Sequence, residues 1–226
     1  MSINRDLTID ETFNLAAKNH RENKIDIAQE LYNKVLKINP DHLGALNNLG
    51  VIFKKLGQIQ KAIDCYEKVI RIDPNNIDTH YNLGNTLKEL GEHQKAIDCY
   101  EKAIKIKPNH LKALYNLGNA LKELKDYQKA KDCYEKVIKI DPNYADAHNN
   151  LGVIFKNLGE NQKAIDCYKE AASNYKKALD LDPLNEQKLL AYGAVMIKLN
   201  EHKKGLEYIK KGTGVIEFTP ENYKII

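Results

Sequence analysis

The chain has 226 residues, 42% hydrophobic and 29% charged, with 35 lysines and arginines against 31 aspartates and glutamates and a formal net charge of +4. This is the composition of an ordinary soluble protein rather than a disordered one. No basic leader with an apolar core opens the sequence and no run approaches a membrane span, while the scattered charges form no basic face with aromatic platforms of the kind nucleic acid requires. The expectation is a cytoplasmic protein with no membrane span and no nucleic-acid partner.

From residue 9 onward the chain repeats itself every 34 residues: prolines recur at Pro40, Pro74, Pro108 and Pro142, glycines at Gly50, Gly84, Gly118 and Gly152, and tyrosines at Tyr32, Tyr66, Tyr100, Tyr134 and Tyr168. A fixed period of this size marks stacked supersecondary units. The predicted repeats are about 9–42, 43–76, 77–110, 111–144, 145–185 and 186–219, within a single domain over residues 1–226, with 220–226 as a C-terminal tail.

Within each repeat a first helix carries apolar residues at the fourth, seventh and eleventh places, as in Leu46, Leu49 and Phe53, which is helical spacing. A break follows near Gly57, Gly91 or Gly159, and a second helix carries the set Ala62, Ile63, Tyr66, Val69 and Ile70. The proline then ends that helix, because it cannot continue one and pushes its predecessor out of the α region. An antiparallel helix pair of this kind cannot bury its apolar faces alone, so the predicted fold is all-α, a solenoid of stacked pairs offering a concave surface.

The fifth repeat reads "CYKEAASNYKKALDLDP" where its siblings read "CYEKVIKIDP", an insertion of seven residues. Seven residues turn a helix through nearly two revolutions and keep the apolar face, so the second helix is expected to run about 10 Å longer and displace the last repeat. That last repeat keeps Tyr192 and Gly193 but carries Gly205, Ile209 and Gly212 where its siblings have alanine, tyrosine and alanine. In the tail "GTGVIEFTPENYKII", Thr219 is predicted to cap a further helix with Pro220 at its first position. The apolar load of Val215, Ile216, Phe218, Tyr223, Ile225 and Ile226 points to a fold-back cap, with contact to a second copy as the alternative.

Cys65, Cys99, Cys133 and Cys167 each sit in the phrase "DCY", 34 residues apart, so each fills the same place in its repeat and no metal or disulfide spacing results. The seven histidines form no ligand motif, and no nucleophile with a base and no glycine-rich phosphate loop stands out. The chain is read as a non-enzyme with no metal and no cofactor.

The stretch "YNLGNTLKELGEHQKAIDCYEKAIKIKP" resembles the tetratricopeptide repeat, its Leu83, Gly84, Ala96, Tyr100, Ala103 and Pro108 matching that pattern place by place. The resemblance implies a right-handed superhelical solenoid that binds proteins or peptides.

One repeated letter is not required by such a fold. The sixth place is asparagine in Asn14, Asn48, Asn82, Asn116 and Asn150, although asparagine is a poor helix former. Either this side chain fastens one repeat to the next, or its carboxamide, with two donors and an acceptor, holds the main chain of an extended peptide. The units resemble those of the repeat arrays of O-linked N-acetylglucosamine transferases, and that resemblance implies the second role; the glycosyltransferase domain is not within these residues. Beside the asparagines run Lys54, Lys88, Lys122 and Lys156 at the twelfth place, with Tyr81, Tyr115, Asn85 and Asn119 at the fifth and ninth. If they line the groove they favour an acidic partner. The carboxylate clamp of some co-chaperones is matched only by Asn82 and Lys112, since the other clamp places hold Asn47, Val51 and Asn116. The expected function is an adaptor or scaffold gripping an extended peptide through an asparagine ladder. The alternatives are a self-assembling scaffold, forming a homo-oligomer through the tail, or a targeting module for a separate glycosyltransferase or chaperone.

Overall fold

The computed structural model describes residues 7–213 and the backbone of 216–218 and 223–225. Twelve helices follow one another among the described residues: α1 (Ile9–Arg21), α2 (Ile25–Ile38), α3 (Leu43–Lys55), α4 (Ile59–Ile72), α5 (Ile77–Glu89), α6 (His93–Ile106), α7 (Leu111–Glu123), α8 (Tyr127–Ile140), α9 (Ala145–Asn157), α10 (Asn161–Leu181), α11 (Glu186–Lys198) and α12 (His202–Thr213). They form two compact bodies, Met1–Ala120 and Leu121–Ile226, the division falling within α7.

In the N-terminal body α1 packs on α2, α3 on α4 and α5 on α6, and these hairpins stack through α2 on α3 and α4 on α5. In the C-terminal body α9 packs on α10 and α11 on α12, with α8 against α9 and α10 against α11. The first helices are side-chain capped in every hairpin except that of α9, whose N-cap is Tyr144. Thr8 and Glu11 form a capping box on α1, and His42, Asn76 and Asn185 accept main-chain N–H bonds at the starts of α3, α5 and α11. The second helices α2, α4, α6 and α8 end in extended backbone before proline, as at Asp73 (φ −129°, ψ 90°), whose carboxylate accepts the Asn75 N–H at 3.1 Å.

The core is a column of repeated residues. Tyr32, Tyr66, Tyr100 and Tyr134 are fully buried, as are Ala28, Ala62, Ala96 and Ala130 one turn before them on the same second helices. The glycine of the first helix exists for the tyrosine: a Cβ on Gly84 would stand 2.7 Å from Cε1 of Tyr100, and one on Gly152 2.6 Å from Cε1 of Tyr168. The last hairpin solves the same problem differently. With Ile209 in place of tyrosine, the α11 and α12 backbones close on each other, and a Cβ on Gly193 would meet the Gly205 carbonyl oxygen at 2.6 Å. Gly205 is therefore a compensating exchange for the lost aromatic ring.

α10 runs unbroken through the insertion, 21 residues where α8 has 14, with no interruption between Ala172 and Asn174. Tyr168, Ala171, Tyr175 and Leu179 are buried along one face, as a seven-residue addition preserves. Beyond α12 the structure departs from expectation. Ile216–Phe218 (β1) and Tyr223–Ile225 (β2) pair antiparallel, with Glu217 opposite Lys224, so β2 lies where a helix begun at Thr219 was expected to run. The β-branched and aromatic residues of both segments favour strands, and the few residues after Pro220 are too few to sustain a helix in water. Thr219 and Pro220 themselves, like the side chains assigned to the fold-back cap, lie outside the described residues.

The turn between the two helices of each hairpin needs one left-handed residue: Gly57 (φ 72°), Gly91 (φ 77°) and Gly159 (φ 79°) provide it, but the fourth repeat uses Lys125 (φ 62°). A side chain there costs about 1 kcal/mol relative to glycine. Lys125→Gly should raise the melting temperature by roughly 2–4 °C, while Gly91→Lys should lower it by a similar amount; differential scanning calorimetry measures both.

Candidate functional site

The sixth-place asparagines sit on α1, α3, α5, α7 and α9. Asn14, in the first repeat, is exposed; Asn48, Asn82, Asn116 and Asn150 are half-buried. Three of them spend the amide donor on the preceding repeat. Asn48 Nδ2 donates to the Tyr32 hydroxyl at 3.0 Å, Asn82 Nδ2 to Asn47 Oδ1 at 3.3 Å, and Asn116 Nδ2 to Asn85 Oδ1 at 2.8 Å and the Tyr81 hydroxyl at 3.3 Å. Repeat-to-repeat fastening is thus one thing these residues do. Their Oδ1 atoms take no hydrogen bond among the described residues.

The fifth and ninth places are drawn into the same network. Asn85 Oδ1 also accepts from the Tyr100 hydroxyl at 2.8 Å. The Tyr81 ring lies 5.3 Å from His110, the residue that caps α7, through Nδ1, by accepting the Ala113 N–H at 3.1 Å. Asn47 Oδ1 accepts from the buried Thr79 hydroxyl at 3.1 Å as well as from Asn82, so it is occupied within the fold. Tyr115 and Asn119 are half-buried at the corresponding places on α7. The repeat-equivalent His80 and His148 each put Nε2 on a loop carbonyl, that of Pro74 at 2.8 Å and of Pro142 at 2.9 Å, which gives them a structural task.

The lysines of the twelfth place differ among themselves. Lys54 pairs with Glu89 at 2.7 Å, Lys88 is half-buried on α5, Lys122 lies 3.9 Å from Glu123, and Lys156 is exposed on α9. A further lysine was not legible in the repeat pattern because it stands one place later, at the thirteenth: Lys198 on α11 donates to Asn149 Oδ1 at 2.8 Å and sits 5.2 Å above the Tyr168 ring. Its side chain as a whole is open, but its ammonium end is crowded. Burial of that end, then the charges of Lys122 and Lys156, hold it below the ordinary lysine value.

The four cysteines are free thiols. Burial, with a neighbouring aspartate, pushes Cys65, Cys99 and Cys167 up to about 11. Among the described residues no group of His, Cys, Asp and Glu could hold a metal ion, and no helix is long and apolar enough to cross a membrane.

Sequence models of the tetratricopeptide repeat match residues 31–64, 75–143 and 111–183, and a further TPR repeat model matches 52–91. Together they run over two thirds of the chain, through the hairpins that carry the tyrosine, glycine and asparagine columns. The chain belongs to the tetratricopeptide-repeat family. Among solved structures, the MamA protein is 27% identical with a TM-score of 0.69, the match covering 76% of this chain and 94% of that one. YrrB, described as a TPR protein with an unusual peptide-binding site, is 24% identical with a TM-score of 0.65, covering 80% and 90%. PilF of Pseudomonas aeruginosa is 20% identical with a TM-score of 0.71, covering 88% of each chain. The last two show the fold alone. No curated protein matches the sequence. The TPR fold and these neighbours support a protein–protein interaction scaffold.

The TPR tyrosines give a paired test of the network. Tyr100 has Asn85 to bond, but the ninth place of the preceding hairpin is Val51, and the buried Tyr66 hydroxyl has no hydrogen-bond partner; the Thr86 hydroxyl beside it donates instead to the Asn82 carbonyl at 2.9 Å. Tyr66→Phe should leave stability unchanged or raise it slightly, whereas Tyr100→Phe should cost about 1 kcal/mol by removing one of the two hydrogen bonds that Asn85 Oδ1 accepts. The cysteines give a second test. A rise to about 11 leaves roughly a hundredfold less thiolate at neutral to mildly alkaline pH, so iodoacetamide should label the folded protein far more slowly than the denatured one, in which all four thiols react.

Proposed function

We propose that this TPR chain is a non-enzymatic scaffold that holds an extended peptide segment against its first helices, using the carboxamides of the sixth place as a ladder. The observation that carries the reading is the division of labour within each amide. Nδ2 of Asn48, Asn82 and Asn116 is committed to the preceding repeat, while Oδ1 takes no bond among the described residues. The bond made by Nδ2 fixes the rotamer, so the acceptor is held in place before any ligand arrives, which reduces the entropy lost on binding. Successive acceptors at the repeat spacing suit main-chain N–H groups of an extended segment, which contacts them with little regard for its side chains.

The resemblance of the unit sequences to the arrays of O-linked N-acetylglucosamine transferases would imply the same assignment, and YrrB, of the same fold, is described as having a peptide-binding site of its own. In the N-terminal body Asn14 extends the ladder, Asn85 and Tyr81 brace it, Tyr115 and Asn119 hold the corresponding places on α7, and Lys54 and Lys88 border it. In the C-terminal body Asn150, with Lys122 and Lys156, holds the equivalent places.

The reading is tested with extended peptides selected from a phage-displayed random library against the intact protein. Replacing Asn48, Asn82 and Asn116 together by alanine removes both halves of each amide. Melting temperature should fall, since three repeat-to-repeat bonds worth about 0.5–1.5 kcal/mol each are lost. Affinity measured well below the melting transition should fall tenfold or more as well. A folded triple variant that binds the selected peptides as the parent does would reduce the asparagines to fasteners and end the ladder reading.

A further inference from the structure

The thirteenth place decides how much charge the bordering lysines present. In the N-terminal body that place holds Arg21, Lys55 and Glu89, and Glu89 neutralises Lys54 at 2.7 Å. In the C-terminal body the carboxylate fades out: Glu123 reaches Lys122 only at 3.9 Å, the next repeat has Asn157 there, and the last has Lys198. Lys198 on α11 reaches Asn149 on α9, two turns before Lys156 on the same face of that helix, and Lys122 holds on α7 the place that Lys156 holds on α9, so the three ammonium groups lie along successive first helices, where Lys198 feels the charge of the other two. The groups holding Lys198 are a carboxamide oxygen and an aromatic face, neither of which carries a negative charge. Facing the Glu123 carboxylate, 3.9 Å from Lys122, the three positive charges remain in excess, and such an excess attracts an anion.

We propose that Lys122, Lys156 and Lys198, with Asn149 positioning the last, form a receptor for the carboxylates of an acidic stretch in the bound peptide. The proposal rests on the reading that the chain binds an extended peptide, and adds what main-chain contacts cannot provide, a preference for sequence. A peptide fits better than a nucleic acid because the aromatic ring at the cluster is not available for stacking: Tyr168 is 3% exposed and Lys198 lies over its face. The spacing is also suited to a peptide. Packed helices lie about 8–10 Å apart, and alternate side chains of an extended chain about 7 Å apart, so carboxylates at every second or third residue come into register with successive lysines.

The test uses the intact protein and two labelled peptides of equal length, one alternating glutamate with serine and one alternating glutamine with serine, followed by fluorescence anisotropy. The glutamate peptide should bind at least tenfold more tightly, and added salt should narrow the gap. Lys122→Gln, Lys156→Gln and Lys198→Gln should each weaken it severalfold and the triple variant should abolish the preference, while Lys139→Gln, exposed on α8, should change nothing. The triple variant should melt at or above the parent temperature, because mutual repulsion is removed; a lower melting temperature would make the lysines structural supports and overturn the proposal. Equal binding of the two peptides would refute acid recognition while leaving peptide binding standing, and binding of neither, with the library peptides also failing, would remove the peptide reading and this one with it. Preferential binding of inorganic phosphate or a single-stranded oligonucleotide over the glutamate peptide would likewise overturn it.

Discussion

The contact between the tyrosine of the second helix and the small residue facing it on the first governs the rest of the structure. Gly50, Gly84 and Gly152 leave no room for a Cβ beside their phenol rings, Ala16 takes the same place opposite Tyr32, and the seated ring fixes both the distance between the helices and their relative register. In the third repeat the hydroxyl of that ring then emerges beside the ninth place, where Tyr100 bonds Asn85. In the first repeat it meets the sixth place of the repeat that follows, where Tyr32 receives Asn48. Packing inside a hairpin thereby sets where the next hairpin is gripped. The last repeat, with Gly193 against Gly205, shows that close approach can be kept after the ring is gone, but no hydroxyl then remains to reach outward.

This chain of dependence explains which features could be read from the sequence. The helix pairs, the prolines that end them and the buried tyrosine column follow from periodicity and from the covalent limits of proline and glycine, both local properties. The continuous α10 follows equally, because seven added residues preserve a helical face. The tail did not follow. Proline after threonine is a helix-start signal, but the β-branched and aromatic residues on either side outweigh it where no neighbouring surface favours a helix. Local propensity was a sufficient guide only where the pattern extended over several turns.

The site was legible in its positions but not in its bonds. Counting places identified the asparagines, yet a wheel that sorts core from surface has no means of showing that an amide on the boundary belongs to both. Asn82 and Asn116 are half-buried because each lies against the preceding repeat, a relation between residues some 31 to 35 apart in sequence. Lys198 escaped for a related reason. In a repeat protein the eye follows a column, and this lysine stands one place out of column, made relevant by Asn149 and Tyr168 rather than by its number.

The two halves of the asparagine amide also explain how identical letters can coexist with unequal sites. The fastening half depends only on the preceding repeat, whose fifth and ninth places vary among Asn47, Tyr81 and Asn85, and it finds an acceptor in each case. Because the fastening tolerates that variation, the residues around the asparagine are free to differ in charge without loosening the stack. The thirteenth place uses this freedom: it carries Lys55 in the repeat fastened by Asn48 and Glu89 in the one fastened by Asn82. A repeating frame fastened through a recurring amide can therefore carry different charges from one repeat to the next without changing how its helices pack.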